Sequence, residues 1–248
     1  MIVRARVLGL ICLGLVIVAA AVAAIWIATG PRSSVAAPRT TATHSPARTT
    51  PTPTPTPSHT FSGTAKIAFL GDSFVAGYGG GGGSYVDQIG SILDATITAD
   101  GVVGSGIVNY GEGLPYGQRV DALLATDPDI LVIQGSVNDL QTPSAAVATA
   151  AQTLVERAKD HRPKVSIVLV GPIYLTSETL PATLEQRAAL QAVSRVEKVT
   201  YVNPAGWITD AAAPTLIGPD RIHPTAAGYA VIATQLAAQL RPVVAKLP

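Results

Sequence analysis

The sequence predicts an α/β fold: a parallel sheet covered by helices on both faces, making a three-layer α/β/α sandwich. Three observations carry that expectation. Short, near-continuous Ile/Val/Leu runs recur along the chain, as strands buried on both faces require. Three of these runs stop at glycine. Stretches of helical period lie between them, and strand–helix alternation is the pattern of right-handed crossovers within one sheet.

The elements follow in order. Ala65 to Leu70 reads as a buried strand ending at Gly71, and Ala95 to Ala99 as a weaker, less apolar one. Asp129 to Gln134 and Val165 to Val170 repeat the first form, each followed by glycine, and Val199 to Asn203 is the last. Helical periodicity covers about 143–159, 181–196 and 225–240. Thr142 is placed to cap the first of these, and Pro143 and Pro181 suit a first helical turn.

This domain, from Thr64 to Pro248, is only part of the 248 residues. Hydrophobic residues reach 48%, charged residues only 13%, and mean hydropathy is +0.36, greasier than an ordinary soluble domain. The excess is concentrated in residues 7–28, which hold no charge and, as a helix, would extend about 33 Å, enough to cross a bilayer core. With Arg4 and Arg6 before it and Trp26 near its far end, this stretch reads as a retained membrane anchor. The alternative is a cleaved signal peptide, for which Ala21-Val22-Ala23 resembles a cleavage site, leaving the protein secreted. A lipoprotein signal at Cys12 is disfavoured by the bulky Ile11 before it. Residues 31–60 contain 7 Pro and 9 Thr and read as a disordered, extended linker running to residue 63. Together these segments predict a single-pass protein whose folded domain stands outside the membrane on a stalk.

Composition excludes several chemistries. Five of the 17 basic residues precede residue 64, leaving 12 against 16 acidic residues and a net charge of −4 in the domain, which argues against a nucleic-acid partner. Cys12 is the chain's one cysteine, so the domain has neither a disulfide nor a thiol nucleophile. Gly79–Gly83 lacks the ending of a phosphate loop, and Gly101 to Gly106 reverses the spacing of a dinucleotide fingerprint, so both read as flexible rim segments. No metal-ligand cluster is present in the sequence, and neither metal nor cofactor is expected.

In parallel α/β sheets, ligands gather beyond the carboxyl ends of the strands. Three polar segments fall there: Gly71-Asp72-Ser73 after the first strand, Gly135-Ser136-Val137-Asn138-Asp139 after another, and Asp220-Arg221-Ile222-His223-Pro224 before the final helix. A serine needs a base to become a nucleophile at neutral pH, and the base needs an acid to fix its tautomer. Of the four histidines, His44 and His59 lie in the linker and His161 in a polar connector, so His223 is the candidate base. Asp72 and Asp139 read as hydrogen-bonded turn residues.

These segments, in this order and spacing, resemble the SGNH (GDSL-type) hydrolases over residues 65–240. Phe74 departs from the family's usual leucine, and it is expected to pack under the turn. The resemblance implies a flavodoxin-like sandwich and a serine esterase that needs no cofactor. It implies Ser73 as nucleophile, His223 as general base and then acid, and Asp220 as the orienting carboxylate. It implies an oxyanion hole from the Ser73 N–H, the Asn138 amide and a glycine N–H. Gly104 and Gly106 are both candidates for that glycine, and Gly106 is preferred. The substrate expected is a small-molecule or polysaccharide ester. A small domain without an evident lid favours short acyl groups such as acetyl, and Tyr110 to Tyr116 and Trp207 are candidates for the pocket border. Two other readings stay open: a cell-wall sugar O-acetyltransferase using the same residues, and a catalytically silent carbohydrate-binding module.

Overall fold

The computed structural model describes residues 63–81, 83–173 and 180–248. The expected anchor and almost all of the linker lie outside the described residues, as do Cys12, His44 and His59. Among the described residues, no helix is long and apolar enough to cross a membrane.

The elements run β1 (Lys66–Gly71), α1 (Tyr85–Leu93), β2 (Thr96–Gly101), α2 (Val120–Leu124), β3 (Ile130–Gln134), α3 (Ser144–His161), β4 (Ser166–Val170), α4 (Leu180–Glu197), β5 (Thr200–Val202), α5 (Ala213–Leu216) and α6 (Ala226–Val244). The five strands form one parallel sheet in the order β2-β1-β3-β4-β5. Ile67 is level with both Ile97 and Ile130, and Ile130 with Ser166. The three inner strands are the Ile/Val/Leu runs, buried almost throughout. Edge strand β2 carries the mixed sequence Thr-Ile-Thr-Ala-Asp-Gly and is half-exposed, matching its weaker apolar signal.

Strand alternation sorts the core into two layers. Ile67, Phe69, Ile130 and Val132 face α1 and α6 through Tyr85, Ile89, Tyr229 and Leu236. Ala68, Leu70, Leu131 and Ile133 face the other side, against Leu124, Leu154 and Leu190 of α2, α3 and α4.

One local expectation changes, and one helix appears that the periodicity did not mark. Thr142 does not cap α3: Pro143 occupies the N-cap position with no side-chain hydrogen bond, while Thr142 Oγ1 lies 3.5 Å from Asn109 Nδ2. The segment after the glycine run, to which the sequence assigns no element, forms α1. Its capping box explains why: Ser84 Oγ accepts the Val86 N–H at 3.3 Å, and Asp87 Oδ2 accepts the Ser84 N–H at 3.0 Å. Ser84 Oγ also donates to the Phe74 carbonyl at 3.0 Å, tying the start of α1 to the turn after β1.

The order of strand addition reverses at β1, with β2 on one side and β3 on the other, and this is the switch point at which such sheets bind ligands. The turn following β1 lies directly over the end of β2, and a Cβ on Gly101 would sit 2.3 Å from the Ala76 nitrogen. Gly101→Ala should therefore displace this turn and destabilise the protein by about 1–3 kcal/mol, as overpacking does. Urea unfolding of the variant checks this, with a lowered midpoint as the expected outcome.

Candidate active site

Ser73 stands at the head of the turn that follows β1. The turn is held from within, by the Ala76 N–H on the Asp72 carbonyl at 3.0 Å and the Tyr78 N–H on the Ser73 carbonyl at 2.9 Å. Asp72 fixes it from below. Its carboxyl is fully buried; Oδ1 lies 2.9 Å from both the Phe74 N–H donor and Gln134 Nε2, and Oδ2 lies 2.7 Å from Ser136 Oγ. Burial pushes this carboxyl above its ordinary range, although its contacts with Ser136, the Phe74 N–H and Gln134 and the charge of His223 pull the other way. The Ser73 N–H makes no hydrogen bond among the described residues.

His223, the candidate base, arrives from the opposite end of the chain. Residues 217–224 form a tight loop closed by a bridge between Ile217 and Pro224, with the Gly218 N–H on the His223 carbonyl at 2.8 Å. Asp220 Oδ1 accepts the N–H groups of Ile222 and His223, both at 3.0 Å. Its Oδ2 lies 2.6 Å from His223 Nδ1, and His223 Nε2 lies 2.9 Å from Ser73 Oγ. Partial burial works against ionisation of Asp220, but the hydrogen bonds from His223 and the two backbone donors outweigh it and hold the carboxyl below its ordinary value. The Asp220–His223–Ser73 connection is therefore continuous, with the carboxylate ionised at neutral pH.

The imidazole is also held by its faces. The Phe74 and Tyr78 rings lie 5.9 and 4.6 Å from it, centre to centre. The turn carrying Tyr78 approaches so closely that a Cβ on Gly79, where φ is +80°, would sit 2.9 Å from His223 Cβ. At Gly80 a Cβ would meet the Tyr229 ring at 2.6 Å. The start of the glycine run is thus a packing surface for the histidine rather than a loose rim. Phe74 is fully buried, packed edge-on to Tyr229 beneath the turn.

Asn138 follows β3 in a short 3-10 turn, Val137–Asp139. Its Nδ2 donates one hydrogen to the Ser105 carbonyl at 2.9 Å, leaving the second for another acceptor. The two candidate glycines differ in their N–H groups. The Gly106 N–H is already donated to the Asn109 carbonyl at 2.9 Å, whereas the Gly104 N–H has no hydrogen-bond partner among the described residues. The loop owes this conformation to Asp139, which is buried and accepts the N–H groups of Ile107 at 2.7 Å and Asn109 at 3.0 Å.

The sequence reading did not single out Arg119, which ties these pieces together. Its nearly buried guanidinium donates to the Gly71 carbonyl at 2.9 Å, Ser105 Oγ at 3.0 Å, the Asp100 carbonyl at 3.1 Å and the Leu114 carbonyl at 2.9 Å, and it pairs with the Asp100 carboxylate. It thus fixes the ends of β1 and β2 to the Gly104–Ser105 loop. Gln134, the last residue of β3, is a second such residue, its amide bridging the Tyr85 hydroxyl, at 2.6 Å, to Asp72. Arg119 sits between Gln118 and Val120, two positions before Asp121, so nothing local marks either it or Gln134. Of the expected pocket-border residues, Tyr110 is exposed, Tyr116 is fully buried beneath Arg119, and Trp207 packs against the core. His161 ends α3, half-exposed and 3.8 Å from Asp121.

Arg119→Met should remove the guanidinium donor from the Gly71 carbonyl, which keeps only the Val102 N–H at 3.3 Å, and leave the Asp100 carboxylate without its ion-pair partner. A buried polar group that loses its partner costs about 1–3 kcal/mol. Thermal unfolding should show a clear loss of stability.

Comparison with known proteins accords with this architecture. Residues 69–231 match the model of the GDSL-like lipase/acylhydrolase family. A GDSL lipase of Mycobacterium tuberculosis is 29% identical over 187 residues, covering 69% of this chain and 79% of that one. Among solved structures, the lipase/acylhydrolase from Enterococcus faecalis superposes with a TM-score of 0.60 at 18% identity, covering 73% of this chain and 97% of that one. A family 3 carbohydrate esterase from Clostridium thermocellum gives a TM-score of 0.60 at 20% identity, covering 73% and 98%. The structural likenesses speak to the fold, and the family model speaks to descent. The chain belongs to the GDSL-like lipase/acylhydrolase (SGNH) family and is an ester-hydrolysing enzyme.

Proposed function

We propose that the protein is a serine esterase that cleaves short acyl esters, acetyl groups on sugars above all, through an acyl-enzyme on Ser73. The observation that carries this reading is the unbroken contact from Asp220 through His223 to the Ser73 hydroxyl. His223 Nε2 takes the hydroxyl proton as Oγ bonds to the ester carbonyl carbon. Asp220 holds Nδ1 and stabilises the imidazolium that forms. The carbonyl oxygen, now an anion, takes hydrogen bonds from the Ser73 N–H, the Gly104 N–H and the remaining Asn138 amide hydrogen. His223 then returns the proton to the departing alcohol. Water, deprotonated by the same imidazole, attacks the acyl carbon, and Ser73 leaves with a proton restored.

Support for a short acyl group comes from the surroundings. Both phenylalanines of the domain, Phe69 and Phe74, are fully buried in the core, so neither offers a ring to a long acyl chain. The carbohydrate esterases among the structural neighbours support a sugar as the alcohol. The uncharged stretch at residues 7–28 and the Pro/Thr-rich linker support a domain tethered outside the membrane, within reach of envelope polysaccharide.

Hydrolysis of p-nitrophenyl esters by the intact chain tests the reading. Ser73→Ala should abolish acyl-enzyme formation. Asn138→Ala should lower kcat by about 100- to 1,000-fold, the usual effect of losing one oxyanion donor. The acetate ester should be turned over faster than the octanoate. Unchanged rates in both variants would contradict the proposal, and a preference for octanoate would contradict the short-acyl part of it.

A further inference from the structure

The hydrogen count around Ser136 points to a property of Asp72 that the reaction does not by itself require. Ser136 Oγ lies 2.7 Å from Asp72 Oδ2 and 2.9 Å from the Ser105 carbonyl oxygen, and it accepts the Asn138 N–H at 3.0 Å. A serine hydroxyl carries one hydrogen and two lone-pair positions. With the Asn138 N–H on one lone pair, both remaining contacts need a hydrogen, and Ser136 supplies only one. A carbonyl oxygen has none to give. The second hydrogen can come only from Asp72.

We infer that Asp72 is a neutral carboxylic acid in the folded protein, its Oδ2–H donating to Ser136 Oγ while the Ser136 hydroxyl donates to the Ser105 carbonyl. Every position is then used once. Asp72 Oδ1 stays an acceptor for the Phe74 N–H and the Gln134 amide, each at 2.9 Å, which leaves Oδ2 as the protonated oxygen. An ionised Asp72 would instead leave two oxygen lone pairs facing each other across one of the Ser136 contacts, in a region with no access to water.

The surroundings favour the neutral form. Asp72 is fully buried, and burial raises its carboxyl above the ordinary range. No basic side chain forms an ion pair with it among the described residues. The groups that face it are His223 from the loop before α6, and the phenols of Tyr85 on α1, Tyr116 from the 3-10 turn before α2, and Tyr229 on α6. Burial holds all three phenols in their uncharged form. Arg119 holds the adjacent Gly71 carbonyl but has its own carboxylate partner in Asp100.

On the proposed esterase reading, this makes Asp72 a positioning residue. A carboxylate one residue from the nucleophile would oppose the developing oxyanion, whereas a neutral acid does not. The hydrogen chain also orients the Ser105 carbonyl, which holds the Asn138 amide in turn.

Infrared spectroscopy of the intact chain at pH 7 tests the inference without using activity, so its outcome is separate from that of the esterase assay. The expected result is a carboxylic-acid C=O stretching band that shifts when aspartate is carboxyl-13C-labelled, moves in Ser136→Ala and is absent in Asp72→Asn. Its absence from the wild-type spectrum would overturn the inference. Asparagine imitates the neutral acid, with its amide as donor to Ser136, and so provides a second readout. A carboxyl whose folded-state pKa is raised adds stability at low pH and loses it as pH rises from the unfolded value, about 4, to the folded one. The melting temperature of Asp72→Asn relative to wild type should therefore climb between pH 4 and pH 7. A flat or falling difference would count against a neutral Asp72. If Asp72→Asn does not fold, the isotope-shifted band and its response to Ser136→Ala decide the matter alone.

Discussion

The site depends on a contact of 2.9 Å between Ser73 Oγ and His223 Nε2, groups separated by 150 positions in the chain. Neither residue is held by its neighbours in sequence alone. Ser73 is placed by a turn that needs Gly101 beneath it and Asp72 inside it. His223 is placed by a loop closed on itself through Gly218, by Asp220, and by the rings of Phe74 and Tyr78. Because Phe74 and Tyr78 follow Ser73 in the same turn, the segment carrying the hydroxyl also forms the seat of the imidazole. Moving one moves the other.

Beneath this contact lies a buried polar layer. Tyr85, Gln134, Asp72, Ser136 and the Ser105 carbonyl are linked in series, and Arg119 closes the far side through Ser105 Oγ and the Gly71 carbonyl. Such a layer is stabilising only when every member is satisfied, since an unpaired buried polar group is costly. Here the members are satisfied at the carboxyl ends of β1 and β3, the part of the sheet where backbone groups run out of strand partners. The network replaces those lost ladder bonds and gives the loops above it one conformation. In the proposed reaction, that rigidity lets the oxyanion donors be aimed before substrate arrives.

The strands of the sandwich were legible because fully buried parallel strands must be continuous Ile, Val and Leu, as in Ile130 to Ile133. The three polar segments were legible because they directly follow or precede those runs. Helix α1 was hidden behind the glycine run, although Ser84 and Asp87 carried its capping signature in plain view. The choice between Gly104 and Gly106 was not open to sequence reasoning, since both lie in one short loop and only its folding onto Asp139 engages the Gly106 N–H. Arg119 reaches Gly71, 48 positions away, and Gln134 reaches Asp72, 62 positions away, so no local pattern announces them.

The most direct test of the account is covalent labelling of the intact chain with a fluorophosphonate, followed by peptide mass spectrometry and rate measurement. Activation of Ser73 by His223 predicts one phosphonyl group per chain, on Ser73, with labelling strongly slowed in His223→Ala. Modification at another residue, or an undiminished rate without the imidazole, would contradict it.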